Sequence, residues 1–264
     1  AIGQQAGFNT QGVDAVAIGK QAGATTQGIA AVAIGDLAGA NSQGNQGVAI
    51  GFACGNVDQG IGGIGIGVAA GQSDQGNYAI AIGSLSGQTD QVANAIAIGR
   101  QAGNISQDEY SIAIGNNAGY DTQSINSIAI GQQAGQNTQG AESVCIGYQA
   151  GENSQSVHGL AIGKQAGQTN QGTRAVAIGV LAGQTNQGEK GLIVSSRGTT
   201  VNDTTAGHIH ITSNLASLDF TSAAGVWTQT IGGTTETIFT KEALQAVVAS
   251  SASFADFKTL VAAL

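Results

Sequence analysis

The chain repeats one short pattern of apolar and small residues, as in AVAIGKQAG at residues 15–23 and AVAIGVLAG at residues 175–183. An Ile-Gly pair recurs every sixteen residues, twelve times, without insertion or deletion. The isoleucines of these pairs are Ile2, Ile18, Ile34, Ile50, Ile66, Ile82, Ile98, Ile114, Ile130, Ile146, Ile162 and Ile178. Leu192 and Val194 keep the phase one step later, but Ser195 replaces the glycine, so a thirteenth unit begins and breaks off. A fixed period of this kind is typical of repeat architectures.

Each repeat predicts a short strand that ends at its Ile-Gly pair. With the isoleucine as position 0, position −2 is also a branched apolar residue, as in Val16 and Ile96, and the residues between and before them are Ala, Gly, Ser or Cys. Branched residues two apart indicate a strand with one bulky face and one nearly flat face. We expect the bulky face to form the core of each coil. The flat alanine face would then contact neighbouring chains.

The remaining fixed positions indicate turns and a polar ladder. Glycine occupies positions +1 and +5 in all twelve copies, which suggests bends with positive φ or close backbone contact. Position +9 is always glutamine, and stacking identical coils would turn it into a ladder of amides. A polar row that reads a ligand is the alternative for these glutamines. Positions +2, +6, +11 and +12 vary freely, so we expect them to be exposed.

These patterns predict an all-β fold, a parallel β-roll or β-solenoid of twelve 16-residue coils over residues 1–194. A helical repeat is excluded because 43 glycines are spread through the chain at helix-breaking density. Each coil offers few apolar side chains against the entropy lost by ordering sixteen residues. The thin core therefore predicts an obligate oligomer.

Charge and composition narrow the function classes. The net charge is −8 and no basic cluster occurs, so nucleic acid is not expected as a partner. Cys54 and Cys145 stand where other repeats carry alanine, and their spacing fits no metal, redox or disulfide pattern. No apolar run is long enough to span a membrane, and no signal peptide is visible. The chain starts in mid-repeat without Met, so we expect a fragment of a longer protein.

No motif in the chain predicts catalysis or a bound cofactor. Gly60, Gly62 and Gly65 satisfy G-x-G-x-x-G, but they fall within the repeat and no helix follows. The three histidines have no evident Ser or Cys partner for a triad. We therefore expect no enzyme activity, no catalytic or cofactor-binding residues, no cofactor and no metal site.

The remaining 70 residues follow a different pattern. Residues 195–207 predict a polar connector. Residues 208–240 predict a small β region, with strands at residues 208–212, 216–221, 226–231 and 234–240. Residues 241–264 predict two short amphipathic helices with a break near residues 250–253, suited to dock on the β region or on sister chains.

His208 and His210 fall on the same side of the first predicted strand in the small β region. In a threefold assembly they would place six imidazoles around the axis, which is an alternative metal site. The simpler hypothesis is a pair of surface or interface histidines without metal, and we adopt it.

The AVAIGxxAG phrase with its polar-Gln-Gly turn resembles the YadA-like head repeats of trimeric autotransporter adhesins, with related repeats in phage and large-virus fibres. The resemblance covers residues 1–194, and the adhesin units are commonly slightly shorter. It implies a left-handed parallel β-roll with three chains around a threefold axis. The style of the turn is closer to the phage and viral branch, and GHIHIT with the short strands after it resembles phage fibres more loosely.

The resemblance implies a structural and adhesive homotrimer, a phage tail fibre or virion appendage used for host attachment. Its partners would be other fibre or virion subunits and a host surface receptor, with glycans among the candidates. A bacterial autotransporter adhesin head, extracellular or at the cell surface, is the alternative. An ice-binding solenoid is a third hypothesis, but positions +7 and +8 mix Thr, Asn, Ser, Asp, Val and Ile instead of repeating threonine.

Overall fold

The computed structural model describes residues 1–212 and, as backbone, three further strands within residues 216–239. The described residues contain no helix and form an all-β solenoid. The helices predicted at residues 241–264 lie outside the described residues.

Two short strands alternate in each coil of the solenoid. In chain order they are β1 (Thr10–Gln11), β2 (Val16–Ile18), β3 (Thr26–Gln27), β4 (Val32–Ile34), β5 (Asn41–Gln43), β6 (Val48–Ile50), β7 (Val57–Gln59), β8 (Ile64–Ile66), β9 (Ser73–Gln75), β10 (Ile80–Ile82), β11 (Thr89–Gln91), β12 (Ile96–Ile98), β13 (Ile105–Gln107), β14 (Ile112–Ile114), β15 (Thr122–Gln123), β16 (Ile128–Ile130), β17 (Thr138–Gln139), β18 (Val144–Ile146), β19 (Asn153–Gln155), β20 (Leu160–Ile162), β21 (Thr169–Gln171) and β22 (Val176–Ile178). Five further strands follow: β23 (Leu192–Ser195), β24 (Ile209–Thr212), β25 (Ala216–Phe220), β26 (Trp227–Ile231) and β27 (Thr234–Phe239).

The strands build two parallel stacks. The odd-numbered strands from β1 to β21 form the short sheet, and the even-numbered strands from β2 to β22, followed by β23 to β27, form the long sheet. Pairing in both stacks joins equivalent residues of successive coils, such as Ile80 with Ile96 and Gln91 with Gln107. The sixteen-residue period of the sequence is therefore the length of one coil.

The space between the two sheets is filled by very small side chains. Alanines at positions −1 and +4, such as Ala97 and Ala102, are fully buried. Cys54 and Cys145 occupy the same interior positions and are buried free thiols. The one large apolar side chain among the most deeply buried residues is Ile193, at the end of the alanine column.

A ladder of buried glutamines fills the rest of the interior. From Gln27 onward, each ladder glutamine donates its side-chain amide to the backbone carbonyl eleven residues earlier, as Gln107 does to Ile96 at 2.8 Å. From Gln59 to Gln123 each amide also donates to the Oε1 of the next glutamine at 3.0–3.2 Å, so that Gln139 is the last acceptor of this run. Because buried amides require partners, the ladder stabilises the stacking of coils in addition to the strand bonds.

The predicted glycine bends are present in each coil. Gly19 at position +1 has φ +128°, and a Cβ there would lie 2.4 Å from the Gly35 carbonyl oxygen, so only glycine fits. Gly23 at position +5 has φ +54°. The left-handed conformation also occurs at non-glycine residues of positions +3 and +12, such as Gln21 (φ 56°) and Ala30 (φ 54°).

Residues 195–207, predicted to be a connector, wind once more around the solenoid. Leu192 pairs in parallel with Ile209, and Ser195 with Thr212, at a spacing of seventeen residues. Val201, within this coil, has a buried side chain. The parallel stacking therefore continues beyond residue 194 as far as β24, through a coil one residue longer than the others. The antiparallel strands β25, β26 and β27 then extend the same sheet.

Candidate functional site

The most extensive candidate surface is the solvent-facing side of the long sheet. Strand alternation directs position −1 into the coil, so positions −2 and 0 point outward. Val16 and Ile18 are 40% and 37% exposed. We call these two columns of side chains the outer face: Val16, Val32, Val48, Ile64, Ile80, Ile96, Ile112, Ile128, Val144, Leu160, Val176 and Leu192 in one, and Ile2, Ile18, Ile34, Ile50, Ile66, Ile82, Ile98, Ile114, Ile130, Ile146, Ile162, Ile178 and Val194 in the other.

The prediction that the bulky face forms the core of the coil is therefore wrong. The alanine face is buried, and the valine and isoleucine face is turned outward. The physical reason is the cross-section of the coil, whose interior holds two alanines and one glutamine side chain and has no room for two isoleucines. The alanine face that was expected to contact neighbouring chains is therefore buried within the coil, and the apolar face left exposed is the branched one.

The outer face has the character of an unpaired protein core. It contains only valine, isoleucine and leucine, and no charge interrupts either column. At about 4.8 Å per coil it is roughly 55–60 Å long, with its columns about 7 Å apart. An apolar patch of more than a few hundred Å² on a soluble chain marks an interaction site.

The ladder glutamines are not such a site. Gln91, Gln107, Gln123 and Gln139 are fully buried, with their amides committed to backbone carbonyls and to one another. The alternative that this row reads a ligand from solvent is therefore wrong.

The predicted exposure of the variable positions is correct at some of them only. Lys20 and Arg100 at position +2 are exposed, as expected. At position +6, however, Asn104 is only 4% exposed, and its side-chain amide donates to Leu85 O at 2.7 Å and to Gln88 Oε1 at 3.1 Å. Position +6 thus adds a second, partly covered row of amides along one edge of the solenoid.

The two histidines lie together at the end of the solenoid interior. His210 pairs with Ile193, so it continues the inward alanine column, whereas Ile209 and Ile211 continue the outer face. The His208 and His210 rings lie 6.2 Å apart at 68°.

An aspartate stands beside these rings. The backbone carbonyl of Asp203 accepts from Gly188 N at 2.8 Å, just as Gln187 O accepts from Gly172 N, so Asp203 takes the register of a ladder glutamine. Its Oδ2 contacts His208 Nδ1 and lies 4.0 Å from His210 Nδ1. The ladder therefore ends in an acid–imidazole pair. Within the described part of the chain, no group of three or more His, Cys, Asp or Glu side chains is placed to hold a metal ion.

The sequence pattern does not identify two exposed tyrosines as candidate site residues, because they occupy a position that varies from repeat to repeat. Tyr78 and Tyr110 both occupy position +12, two coils apart, with 61% and 54% of their surface exposed. The one signal in the sequence is their identical phase, together with Gly62 in place of a side chain in the coil that precedes Tyr78.

Comparison with protein-family models, curated proteins and solved structures finds no match to this chain. Within the described residues, no helix has the length and apolar character needed to cross a membrane. Residues 1–212 form an all-β solenoid of stacked parallel coils, with an apolar outer face and a buried polar interior ladder.

Proposed function

We propose that the chain is a structural and adhesive segment of a homotrimeric fibre that presents a host-binding surface. The observation that carries this proposal is the outer face, which is continuous, uncharged and parallel to the long axis of the coil stack. Because the interior is already closed by alanine and glutamine, these branched residues are not needed to complete a coil. Their burial requires another surface of the same length and character.

Sister chains supply such a surface. Three copies with their outer faces turned toward a common axis would bury both columns and form one apolar core between them. The number three comes from the resemblance of the AVAIGxxAG repeats to trimeric adhesin and fibre repeats. Burial of this face would add stability to coils whose own apolar core is small, although each coil is already closed without it.

The adhesive role follows from shape and repetition. A solenoid with uniform coils makes a stiff rod, and its turns vary from coil to coil while its interior stays constant. Three chains that display the same turns would multiply weak contacts with a host receptor by avidity. We place such a rod in a phage tail fibre or another virion appendage, next to other fibre subunits.

Two other functions remain as alternatives. A bacterial trimeric autotransporter adhesin head would use the same outer face in the same way. An ice-binding solenoid would need a regular flat array of small hydroxyl side chains. The exposed face of the short sheet instead carries Asp58, Asp74 and Asp90 in three successive coils, which disfavours this alternative.

The proposal is tested by the mass of the protein in solution and by its binding to cells. Native mass spectrometry should give a complex of three times 26.0 kDa. Fluorescently labelled trimer should bind to the surface of at least one bacterial species in a whole-cell panel, and thermal hysteresis should be absent. A stable monomer would overturn the assembly part, and a trimer that binds no cells would overturn the adhesive part.

A further inference from the structure

A row of aromatic and amide side chains follows one edge of the solenoid. It consists of Tyr78, Asn94 and Tyr110, which occupy position +12 in three successive coils, and we call it the tyrosine ledge. Their φ angles are 58°, 61° and 58°, so all three side chains leave the backbone in the same direction. At about 4.8 Å per coil the two rings stand about 10 Å apart along the rod.

The first ring is held by its surroundings. A Cβ at Gly62 would lie 2.8 Å from Tyr78 Cδ1, so the ring lies directly over Gly62 of the preceding coil. The backbone N–H of Tyr78 donates to Ile61 O at 2.8 Å, and the side-chain oxygen of the adjacent Asn77 accepts from Ile61 N at 2.8 Å. The backbone that carries the ring is therefore fixed by two bonds, and the ring still has most of its surface exposed.

The second ring has an acidic neighbour. The carboxylate of Glu109 accepts from the Tyr110 hydroxyl and raises the pKa of that phenol above its ordinary value, because it stabilises the neutral form. Asp108 precedes Glu109 in the chain, and its side-chain carboxylate accepts from Glu109 N at 2.8 Å. These carboxylates provide acceptors for hydroxyl groups and repel anions.

We propose that the tyrosine ledge binds a neutral, linear, β-1,4-linked glycan that runs parallel to the rod. This proposal rests on the adhesive role proposed above and names the ligand class. The apolar C–H face of a pyranose packs on the π-face of an aromatic ring. Side-chain amides can both donate to and accept from the sugar hydroxyls, and carboxylates accept from them. Successive sugars of a β-1,4-linked chain are turned over, so the same face recurs at every second sugar. Rings two coils apart, with an amide between them, match that recurrence.

The test uses the assembled wild-type protein and two neutral probes, cellohexaose and chitohexaose. Calorimetry should detect binding of at least one hexasaccharide, and saturation-transfer NMR should show contact between tyrosine ring protons and sugar protons. Tyr78→Ala and Tyr110→Ala should each weaken binding about tenfold, as expected for loss of an aromatic contact. Tyr148→Ala is the matched control, because Tyr148 is an exposed tyrosine at position +2, on another edge, and its loss should leave affinity unchanged.

Several results would overturn the proposal. The first is no binding of either hexasaccharide, and the second is equal binding by wild type and both ledge variants. Heparin is titrated in parallel as an anionic probe, and binding of heparin alone would indicate an anionic ligand. The native mass of Tyr78→Ala and Tyr110→Ala should equal that of wild type. If the protein is trimeric and binds cells while the ledge variants bind cells as wild type does, only the glycan proposal fails and the fibre proposal stands.

Discussion

The thiol of Cys145 donates to the Oε1 of Gln155 at 2.6 Å, and this bond coincides with the one interruption of the glutamine ladder between Gln59 and Gln187. Gln139 and Gln155 share no side-chain bond, whereas the amide of Gln155 still donates to Gln171 Oε1 at 3.0 Å. One cysteine in place of alanine therefore redirects a buried amide acceptor. The ladder is therefore a connected hydrogen-bond network, in which a substitution in one coil changes the hydrogen bonds of the adjacent coil.

Removal of one ladder glutamine should destabilise the solenoid strongly. Gln107→Leu leaves the carbonyl of Ile96 and the Oε1 of Gln123 without the Gln107 amide that donates to them, and the Gln91 amide loses one of its acceptors. We expect a loss of about 3 kcal/mol or more in the free energy of unfolding, since each orphaned buried group costs about 1–3 kcal/mol. Urea denaturation followed by circular dichroism measures this.

The matched control is Gln132→Leu, at an exposed position +2. It should change the free energy of unfolding by less than about 0.5 kcal/mol. Equal stability of the two leucine variants would contradict the stabilising role of the ladder.

Gly65 compensates for Cys54 in the adjacent coil. A Cβ at residue 65 would lie 2.6 Å from Cys54 Sγ, at a position that is alanine in most other coils. We expect Gly65→Ala alone to destabilise by about 1–3 kcal/mol through overpacking. Combination with Cys54→Ala restores the usual pair of alanines and should recover most of that loss. A double-mutant cycle on thermal or urea unfolding measures the coupling, and additive effects would show that the two sites do not compensate.

The buried thiols should make the protein sensitive to alkaline pH. Burial raises the pKa of Cys54 to about 11 and that of Cys145 in the same direction, because the thiolate is poorly solvated inside the coil. The unfolded chain loses these protons first, so their contribution to stability is complete below about pH 9 and is lost as pH rises toward 11.

The measurement is the melting temperature between pH 8 and pH 11. It should fall with pH more steeply in wild type than in the Cys54→Ala, Cys145→Ala double variant. Between pH 8 and pH 9, Ellman's reagent should label the thiols of the native protein only as fast as the protein unfolds. Rapid labelling of the folded protein, or identical pH profiles for the two proteins, would show that the thiols are accessible.

The period of the sequence was sufficient to predict the fold, but not which face of each strand points inward. Alternation with a period of two is the same for both faces of a strand, so it cannot by itself decide between Ala97 and Ile98 as the core residue. The deciding quantity is the width of the coil. The sequence carries it only indirectly, through the small residues at positions −1 and +4 and the constant glutamine at position +9.

Other features carried no recognisable signal. Left-handed backbone at Gln21 and Ala30 is imposed by the coil stack, since neither residue prefers that conformation. The coil after residue 194 lacks the repeat motif and has one extra residue, and Asp203 takes the place of glutamine there. The two candidate surfaces differ in the same way. The residues of the outer face form a repeated pattern in the sequence, whereas the residues of the tyrosine ledge become neighbours only when the coils stack.

The most direct test of the account is the substitution Ile98→Asp, examined by native mass and circular dichroism together. Ile98 lies in the outer face, so its aspartate variant should keep the β spectrum of the wild-type coil while the complex of three chains dissociates to monomers of about 26 kDa. Ser84→Asp, at an exposed turn position, should remain fully assembled. An Ile98→Asp protein that assembles as wild type does would contradict the assembly role of the outer face. Loss of the β spectrum at low temperature would instead place Ile98 in the core of the coil.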